Sequence, residues 1–280
     1  MTTTVECQGT VLVARRSIRR VARKSPAVKR SSIRTFSKAS RRRLIELMAR
    51  IDSARTRTVF LTLTFHGKPD AVEAKRALKA FLMRVRRKFP EASGIWRLEP
   101  QERGSWHFHL LLFNLPYWHQ RQIQYAWECC TREDQSIVHV KLLRGGKRQA
   151  MFYVAKYLAK NSTVFTSLDN AVYQHDQESD TLDDPGRFWG YINKKDIPFA
   201  PLRQIRFDDD EITDCLWFTM KQLSRNAAAQ QDMTARYYGT CCYDLAERLL
   251  KTANRILHDI TNHDGHKIEW YQADHSLSFA

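Results

Sequence analysis

Two histidines separated by a single residue are the clearest sign of chemistry in this sequence. His107 and His109 lie in the apolar stretch WHFHLLLF, which predicts a β-strand. Alternate side chains of a strand share a face, so both imidazoles point the same way. Two adjacent imidazoles can chelate a divalent ion, although such a pair also occurs as two partly exposed strand residues.

Glu99 offers a carboxylate to the same site. It ends the preceding predicted strand, and the turn at Gly104 predicts that the two strands pair antiparallel. We therefore expect Glu99 beside the two imidazoles. Two nitrogens, one oxygen and open positions suit Mg²⁺ or Mn²⁺ acting as a Lewis acid on a phosphate. Glu102 is a competing ligand, and an ion pair with Arg97 or Arg103 is the alternative for Glu99.

A helix predicted over residues 150–160 carries the candidate nucleophiles. Tyr153 and Tyr157 are four positions apart and share a helix face, as do Lys156 and Lys160. Tyrosine ionises near pH ~10 and attacks poorly at neutral pH, but a nearby ammonium favours the phenolate. An amphipathic helix that uses its tyrosines only for packing is the alternative.

The elements around these residues predict an α+β fold. Periodicity gives a helix from residue 37, and Asp70 with Glu73 forms a capping box for a second helix. Pro116 starts a third helix. Strands are predicted at residues 58–65, 95–99, 106–113 and 137–142. From residue 58, the order β, α, β, β, α, β, α favours a mostly antiparallel sheet with helices on one face.

The charge of the chain predicts a polyanionic partner. Its 280 residues carry a formal net charge of +16, which favours nucleic acid. Residues 1–36 read as a basic flexible arm, and the arginines we expect to bind phosphates are Arg15, Arg16, Arg19, Arg20, Arg41, Arg42 and Arg43. A solvated run of charges is the alternative.

The sequence gives no indication of a membrane or secreted protein. No apolar run approaches the roughly 20 residues of a spanning helix, and the N-terminus does not resemble a secretory signal. The cysteines form neither a disulfide framework nor a CxxC metal knuckle. We therefore expect a cytoplasmic protein without a membrane partner.

Three segments together resemble the HUH superfamily of rolling-circle replication initiators, the Rep proteins of plasmids and small single-stranded DNA phages. They are TVFLTLTF, GSWHFHLLLF and YVAKYLAK, within a resemblance over about residues 37–165. RFWGYINKKDIPF, at 187–199, resembles the segment after the nuclease core in phage-type members. Relaxases place the tyrosine before the histidines, whereas here the tyrosines follow, in the two-tyrosine pattern.

The resemblance implies a ferredoxin-like or RRM-like HUH endonuclease core. It places a nuclease domain at residues 37–200 and leaves 201–280 as a helical C-terminal extension. It also implies that the metal on Glu99, His107 and His109 activates origin single-stranded DNA.

The implied reaction joins strands without ATP. Tyr157 attacks first and forms a 5′-phosphotyrosine bond, Tyr153 acts second to close the circle, and Lys156 and Lys160 stabilise the charge. The freed 3′-OH would prime a host DNA polymerase. The glycines at 145–146 lack the spacing of a nucleotide-binding loop, so a host helicase is the expected partner for unwinding.

Three other functions remain open from the sequence. An RRM-like module that binds single-stranded nucleic acid without catalysis has the same strand order. An HUH transposase also places its tyrosine late, but usually carries one tyrosine in a shorter chain. A two-histidine, one-carboxylate iron oxygenase would need a jelly-roll pattern that this sequence lacks.

Overall fold

The chain forms two compact units. A computed structural model describes residues 2–17, 36–52, 57–101, 104–143, 185–208, 210–223, 234–238, 247–249, 251–252 and 271–272. The terminal unit comprises Met1–Ala27, Ala49–Ile51 and Phe199–Ala280, and the central unit comprises Val28–Met48 and Asp52–Pro198. No helix in the described stretches is long and apolar enough to cross a membrane.

Strands and helices alternate along most of the described chain. In chain order the strands are β1 (Thr2–Gln8), β2 (Val11–Ser17), β3 (Thr58–Thr64), β4 (Ser93–Pro100), β5 (Trp106–Phe113), β6 (Ile137–Leu143), β7 (Trp189–Ile192), β8 (Arg203–Phe207), β9 (Thr234–Tyr238) and β10 (Tyr271–Gln272). The helices are α1 (Lys38–Ala49), α2 (Ala71–Lys88), α3 (Gln120–Thr131) and α4 (Asp210–Leu223).

The central unit is built on one five-stranded antiparallel sheet in the order β6-β3-β5-β4-β7. Its first four strands and the helices α2 and α3 follow the chain order βαββαβ, the ferredoxin-like arrangement. The predicted α+β fold with a central antiparallel sheet is therefore confirmed, and β7 adds a fifth strand at the edge beside β4.

Helices α2 and α3 cover one face of this sheet. Trp127 of α3 packs edge-on against Phe81 of α2 and Phe108 of β5, with ring centroids 5.7 and 6.3 Å away. Phe108 lies between His107 and His109 on β5, so it points to the opposite face from them. The helices therefore leave the histidine face of the sheet to other contacts.

The start of α2 confirms the predicted capping box. Asp70 accepts a hydrogen bond from the backbone N–H of Glu73, and Glu73 accepts one from the backbone N–H of Asp70. Such a cap contributes about 1 kcal/mol. The apolar side of the helix is buried, so the cap and the hydrophobic face fix the same register.

Two predicted helix boundaries were wrong. Helix α3 begins at Gln120 rather than at Pro116, because the His119 side chain accepts the backbone N–H of Arg121 and serves as the N-cap. Helix α1 ends at Ala49, so Ile51 is not part of its apolar stripe. Ile51 instead forms an isolated β-bridge with Phe199 in the terminal unit.

The terminal unit corrects the prediction of a flexible arm over residues 1–36. Thr2–Gln8 and Val11–Ser17 pair as an antiparallel hairpin, and its strands are β1 and β2 in the sheet order β10-β8-β1-β2-β9. Apolar residues of both strands are buried, including Val5, Leu12 and Val13. The arginines that follow drew attention away from this alternating apolar pattern. Residues 18–35 lie outside the described stretches.

The C-terminal residues are not simply helical, as was predicted for 201–280. Strands β8, β9 and β10 belong to the sheet of the terminal unit, and only α4 and residues 247–249 and 251–252 are helical among those described. The strands β9 and β10 are short and separated by long segments in sequence, so local periodicity gave no sign of their pairing.

Candidate metal centre

Glu99 and the two histidines meet on one face of the central sheet. Antiparallel pairing of β4 with β5 places Glu99 directly opposite His107, and His109 follows two positions along the same face. Oε2 of Glu99 lies 3.2 Å from Nε2 of His107 and 2.9 Å from Nε2 of His109. The turn-dependent prediction of this arrangement is confirmed by the register.

The carboxylate of Glu99 is held in its charged form. Burial by itself would raise its pKa, but the hydrogen bonds to His107 and His109 and the nearby charge of Arg97 together lower the pKa to about 2. The side chain keeps 15% of its accessible surface. Glu99 is therefore an anion, ready to act as a ligand, throughout the physiological pH range.

His109 is the most enclosed of the three groups. Burial lowers its pKa below the ordinary value, the charge of His107 acts in the same direction, and the hydrogen bond to Glu99 opposes the shift. The neutral imidazole, which is the form that binds metal, is therefore favoured. Its ring stacks on Phe60 of β3, with centroids 5.4 Å apart.

Thr62 orients the imidazole of His109 from the neighbouring strand. The two residues pair across β3 and β5, and the hydroxyl oxygen lies 3.1 Å from Nδ1. A hydroxyl can donate to Nδ1 or accept from it, so this contact suits either tautomer. With Nδ1 occupied by Thr62, the other nitrogen, Nε2, faces Glu99. Metal-binding histidines are commonly fixed by such a contact on the second nitrogen.

Arg97 brings a buried cation to the same face. It lies two residues before Glu99 on β4 and is 1% exposed, and its guanidinium packs 4.7 Å from the centroid of the Phe36 ring. Burial lowers its pKa to about 10, with the charge of Glu99 opposing the shift. Arg97 therefore stays protonated at neutral pH and adds a fixed positive charge next to the carboxylate.

The donor set fits a divalent metal ion. One ligand atom from each of Glu99, His107 and His109 lies within 4.8 Å of the others, and all three side chains retain some exposure. Their two nitrogens and one oxygen leave coordination positions for water or substrate, as Mg²⁺ and Mn²⁺ sites do. Three converging donors of this kind are the only such group among the described residues.

The predicted nucleophiles lie outside the part of the chain that the structure describes. This holds for Tyr153, Tyr157, Lys156 and Lys160, and also for the competing ligand Glu102 and for Arg103. Their positions relative to Glu99 and the histidines therefore remain predictions.

The arginines expected to bind DNA have different surroundings. Arg15 and Arg16 lie on β2 and form salt bridges with Glu6 and Asp214 in the terminal unit. On α1, Arg41 donates a hydrogen bond to the carbonyl of Phe36 and packs over its ring, whereas Arg43 is exposed. Arg42 on the same helix is half-buried, and Arg19 and Arg20 fall outside the described residues.

Thr62 and Phe60 are the site residues that the sequence reasoning missed. Both belong to the predicted strand TVFLTLTF, which received no chemical role. Their alternation was the available signal, because residues 60, 62 and 64 share the face that pairs with the histidine face of β5. His139 occupies the same row of the sheet on β6, opposite Thr62, and is exposed.

Comparison with known proteins supports a replication role. Residues 58–162 match a family model that describes replication-associated proteins of the ORF2 type. The matched segment contains Glu99, both histidines and both tyrosines, so the resemblance to replication proteins is confirmed there. No curated protein matches this chain.

One solved structure is also similar. It is the crystal structure of the hypothetical protein ORF119 from Sulfolobus islandicus rod-shaped virus 1, with 13% identity and a TM-score of 0.32, covering 44% of this chain and 97% of that chain. At that TM-score the similarity carries no conclusion about fold or function.

Proposed function

We propose that this protein is a metal-dependent DNA nickase and strand transferase that initiates rolling-circle replication. The observation that carries the proposal is the convergence of Glu99, His107 and His109 on one face of a ferredoxin-like sheet. These three residues lie in the segment that matches replication-associated proteins. A metal site on such a protein is best used on the phosphates of DNA.

The three ligands are prepared for binding before the ion arrives. Glu99 is charged and His109 is held neutral by burial, so binding of a cation requires no proton to leave either group. A bound Mg²⁺ or Mn²⁺ would polarise the scissile phosphate and stabilise negative charge on it. Arg97 contributes a second positive charge from within the sheet.

The tyrosines supply the covalent step. The phenolate oxygen of Tyr157 attacks the scissile phosphorus, a P–O bond to tyrosine forms, and the bond from phosphorus to the 3′ oxygen breaks. The 3′ oxygen takes up a proton and leaves as a 3′-OH that can prime synthesis. Lys156 and Lys160 favour the phenolate, because an ammonium lowers the pKa of a nearby phenol.

Rejoining reverses the same chemistry. Tyr153 attacks the regenerated junction, and a 3′-OH displaces the first tyrosine from its phosphate to close a circle. The number of phosphoester bonds is unchanged in each exchange, so no nucleotide hydrolysis is needed. Origin single-stranded DNA is the substrate, a host helicase and a host polymerase are the proposed partners, and the cytoplasm is the proposed compartment.

The test is cleavage of single-stranded DNA that carries the origin of the replicon. The proposal expects cleavage only with Mn²⁺ or Mg²⁺, giving one free 3′-OH end and one end retained by the protein in SDS. His107→Ala should abolish cleavage and leave most salt-dependent binding, because charge rather than the metal site supplies that affinity. Binding of DNA with no metal-dependent cleavage would instead establish a non-catalytic RRM-like binding protein.

A further inference from the structure

A basic groove lies between α2 and α3 in the central unit. Its cationic lining comes from the end of α2 and the start of α3, and the groove encloses about 640 Å³. That volume is within the range of roughly 300–1,000 Å³ found for ligand sites. The residues that line it are Arg84, Arg87, Lys88, Trp118, Arg121, Gln122, Tyr125 and Ala126.

The positive charge of this groove is not neutralised within the described chain. No acidic side chain lines it, and none of its four cations forms a salt bridge with another described residue. Arg84, Arg87 and Arg121 are exposed. Like charges gathered on one surface repel one another, so an anionic ligand would stabilise this arrangement.

Arg121 is placed against the dipole of its own helix. It is the second residue of α3, where the positive end of the dipole disfavours a cation. Lys88 and Arg87, by contrast, lie in the last turn of α2, where cations are favoured. The dipole explains the residues of α2, but it does not explain Arg121, and an anion at the start of α3 does.

Aromatic side chains alternate with the cations. Tyr125 lines the groove and is 69% exposed, and Tyr117 is 74% exposed just before α3. Trp118 is 7% exposed, Lys88 Nζ lies 5.2 Å from its ring centroid, and its Nε1 has no hydrogen-bond partner among the described residues. Exposed rings beside cations are the arrangement used to stack bases and hold phosphates.

The groove is separate from the candidate metal centre. Phe81 of α2 stacks on Trp118, with centroids 6.0 Å apart, and it packs through Trp127 onto Phe108. Phe108 points away from the histidine face of the sheet. The groove therefore lies on the helical side of the central unit, and a DNA strand at the metal centre does not occupy it directly.

We propose that this groove is a second binding site for single-stranded DNA. Phosphates contact Arg84, Arg87 and Arg121, and a base stacks on Tyr125. The combination of charge and exposed tyrosine favours a nucleic acid over an acidic peptide, which would leave the rings without a stacking partner. The site goes beyond the proposed nicking activity and does not depend on it.

The experiment measures binding of the full chain to oligo(dT), which requires no origin sequence. In the triple variant Arg84→Gln/Arg87→Gln/Arg121→Gln, we expect the salt slope of log K to fall by about 2, from roughly 0.7 for each lost phosphate contact. The matched control is Arg76→Gln/Lys79→Gln/Arg86→Gln, which removes three exposed cations of α2 that do not line the groove. The control should keep the wild-type slope more closely.

Stacking is tested separately at the exposed ring. Tyr125→Ala should weaken oligo(dT) binding by at least about fivefold, and Tyr125→Phe should retain it, since only the ring is needed. Tyr125 is mostly exposed, so circular dichroism should show all variants folded. Equal losses in the groove and control variants would overturn the proposal.

A membrane surface is the other polyanion that the test covers. Vesicles containing phosphatidylserine are offered to the same variants under the same salt conditions. Loss of vesicle binding in the groove variant, with oligo(dT) binding unchanged, would also overturn the proposal. Failure of DNA cleavage by the wild type would contradict the nickase proposal and leave the oligo(dT) result standing.

Discussion

Glu99 is the residue on which the two histidines converge, and its charge is the main electrostatic contribution to the site. Replacing it with glutamine keeps the shape of the side chain and removes the anion. We expect Glu99→Gln to weaken Mn²⁺ binding by at least about tenfold, because a neutral amide oxygen is a poorer ligand for a hard cation. Electron paramagnetic resonance of free Mn²⁺ measures this directly.

The matched control for that change is Glu91→Gln. Glu91 is exposed in the loop between α2 and β4 and is not part of the ligand group. Its substitution alters the net charge by the same amount and should leave Mn²⁺ affinity unchanged. Equal effects of the two substitutions would show that general charge, and not the Glu99 site, attracts the ion.

The environment of His109 sets its titration in the metal-free protein. Burial disfavours the imidazolium, so we expect its pKa to lie below about 6.5. Glu99→Gln should lower that pKa further, because the hydrogen bond to Glu99 raises it. A nuclear magnetic resonance titration of the histidine ring protons follows this, and a pKa above 6.5 would contradict the described burial.

Thr62 tests whether orientation of the imidazole matters apart from its identity. Thr62→Val removes the hydroxyl that lies 3.1 Å from Nδ1 of His109 and keeps the branched shape. Loss of such a contact on a metal-binding histidine typically costs about 10–100-fold in metal affinity or activity. Thr62→Ser retains the hydroxyl and should recover most of the Mn²⁺ affinity. Similar affinity in both variants would assign Thr62 to packing alone.

At the scale of elements, the hairpin of β4 and β5 was the most predictable part of the site. Alternation along WHFHLLLF fixes the shared face of the two histidines, and the short turn fixes the antiparallel register that brings Glu99 opposite His107. Both are local properties. The pairing of β3 with β5 is non-local, so the contribution of Thr62 could not be read from spacing within either strand.

Helix boundaries were less predictable than the strands of the site. Pro116 is compatible with a first helical position, but the side chain of His119 caps α3 four residues before Ile123. A histidine is not among the residues usually favoured as an N-cap. Trp118, stacked on Phe81, shows that packing of the preceding segment determines where α3 begins.

At the scale of the whole molecule, the N-terminal residues are part of a folded sheet. Gly9 has φ of +60° and joins β1 to β2 in a tight turn, where a Cβ would lie 2.4 Å from the carbonyl oxygen of Ala49. Glu6 and Arg15 form a salt bridge across the hairpin. Composition marks this region as basic, whereas its folding depends on pairing with β8, which lies far along the chain at Arg203–Phe207.

Deletion of residues 1–17 distinguishes a folded hairpin from a tether. β1 and β2 are interior strands of the terminal sheet, so the deletion removes the partners of β8 and β9. We expect a lower melting temperature and rapid proteolysis within residues 199–280. A tether would be removable with weaker, salt-sensitive DNA binding and no loss of stability. Thermal unfolding together with limited proteolysis separates the two outcomes.

The central claim is tested most directly by locating the bond between protein and DNA. Wild-type protein is incubated with origin single-stranded DNA and Mn²⁺, and the SDS-stable adduct is digested and sequenced by mass spectrometry. We expect a phosphotyrosine link at Tyr157 or Tyr153, loss of the adduct in Tyr153→Phe/Tyr157→Phe, and loss in His107→Ala. An adduct that persists in the double tyrosine variant, or a link at another residue, would contradict the proposed nickase mechanism.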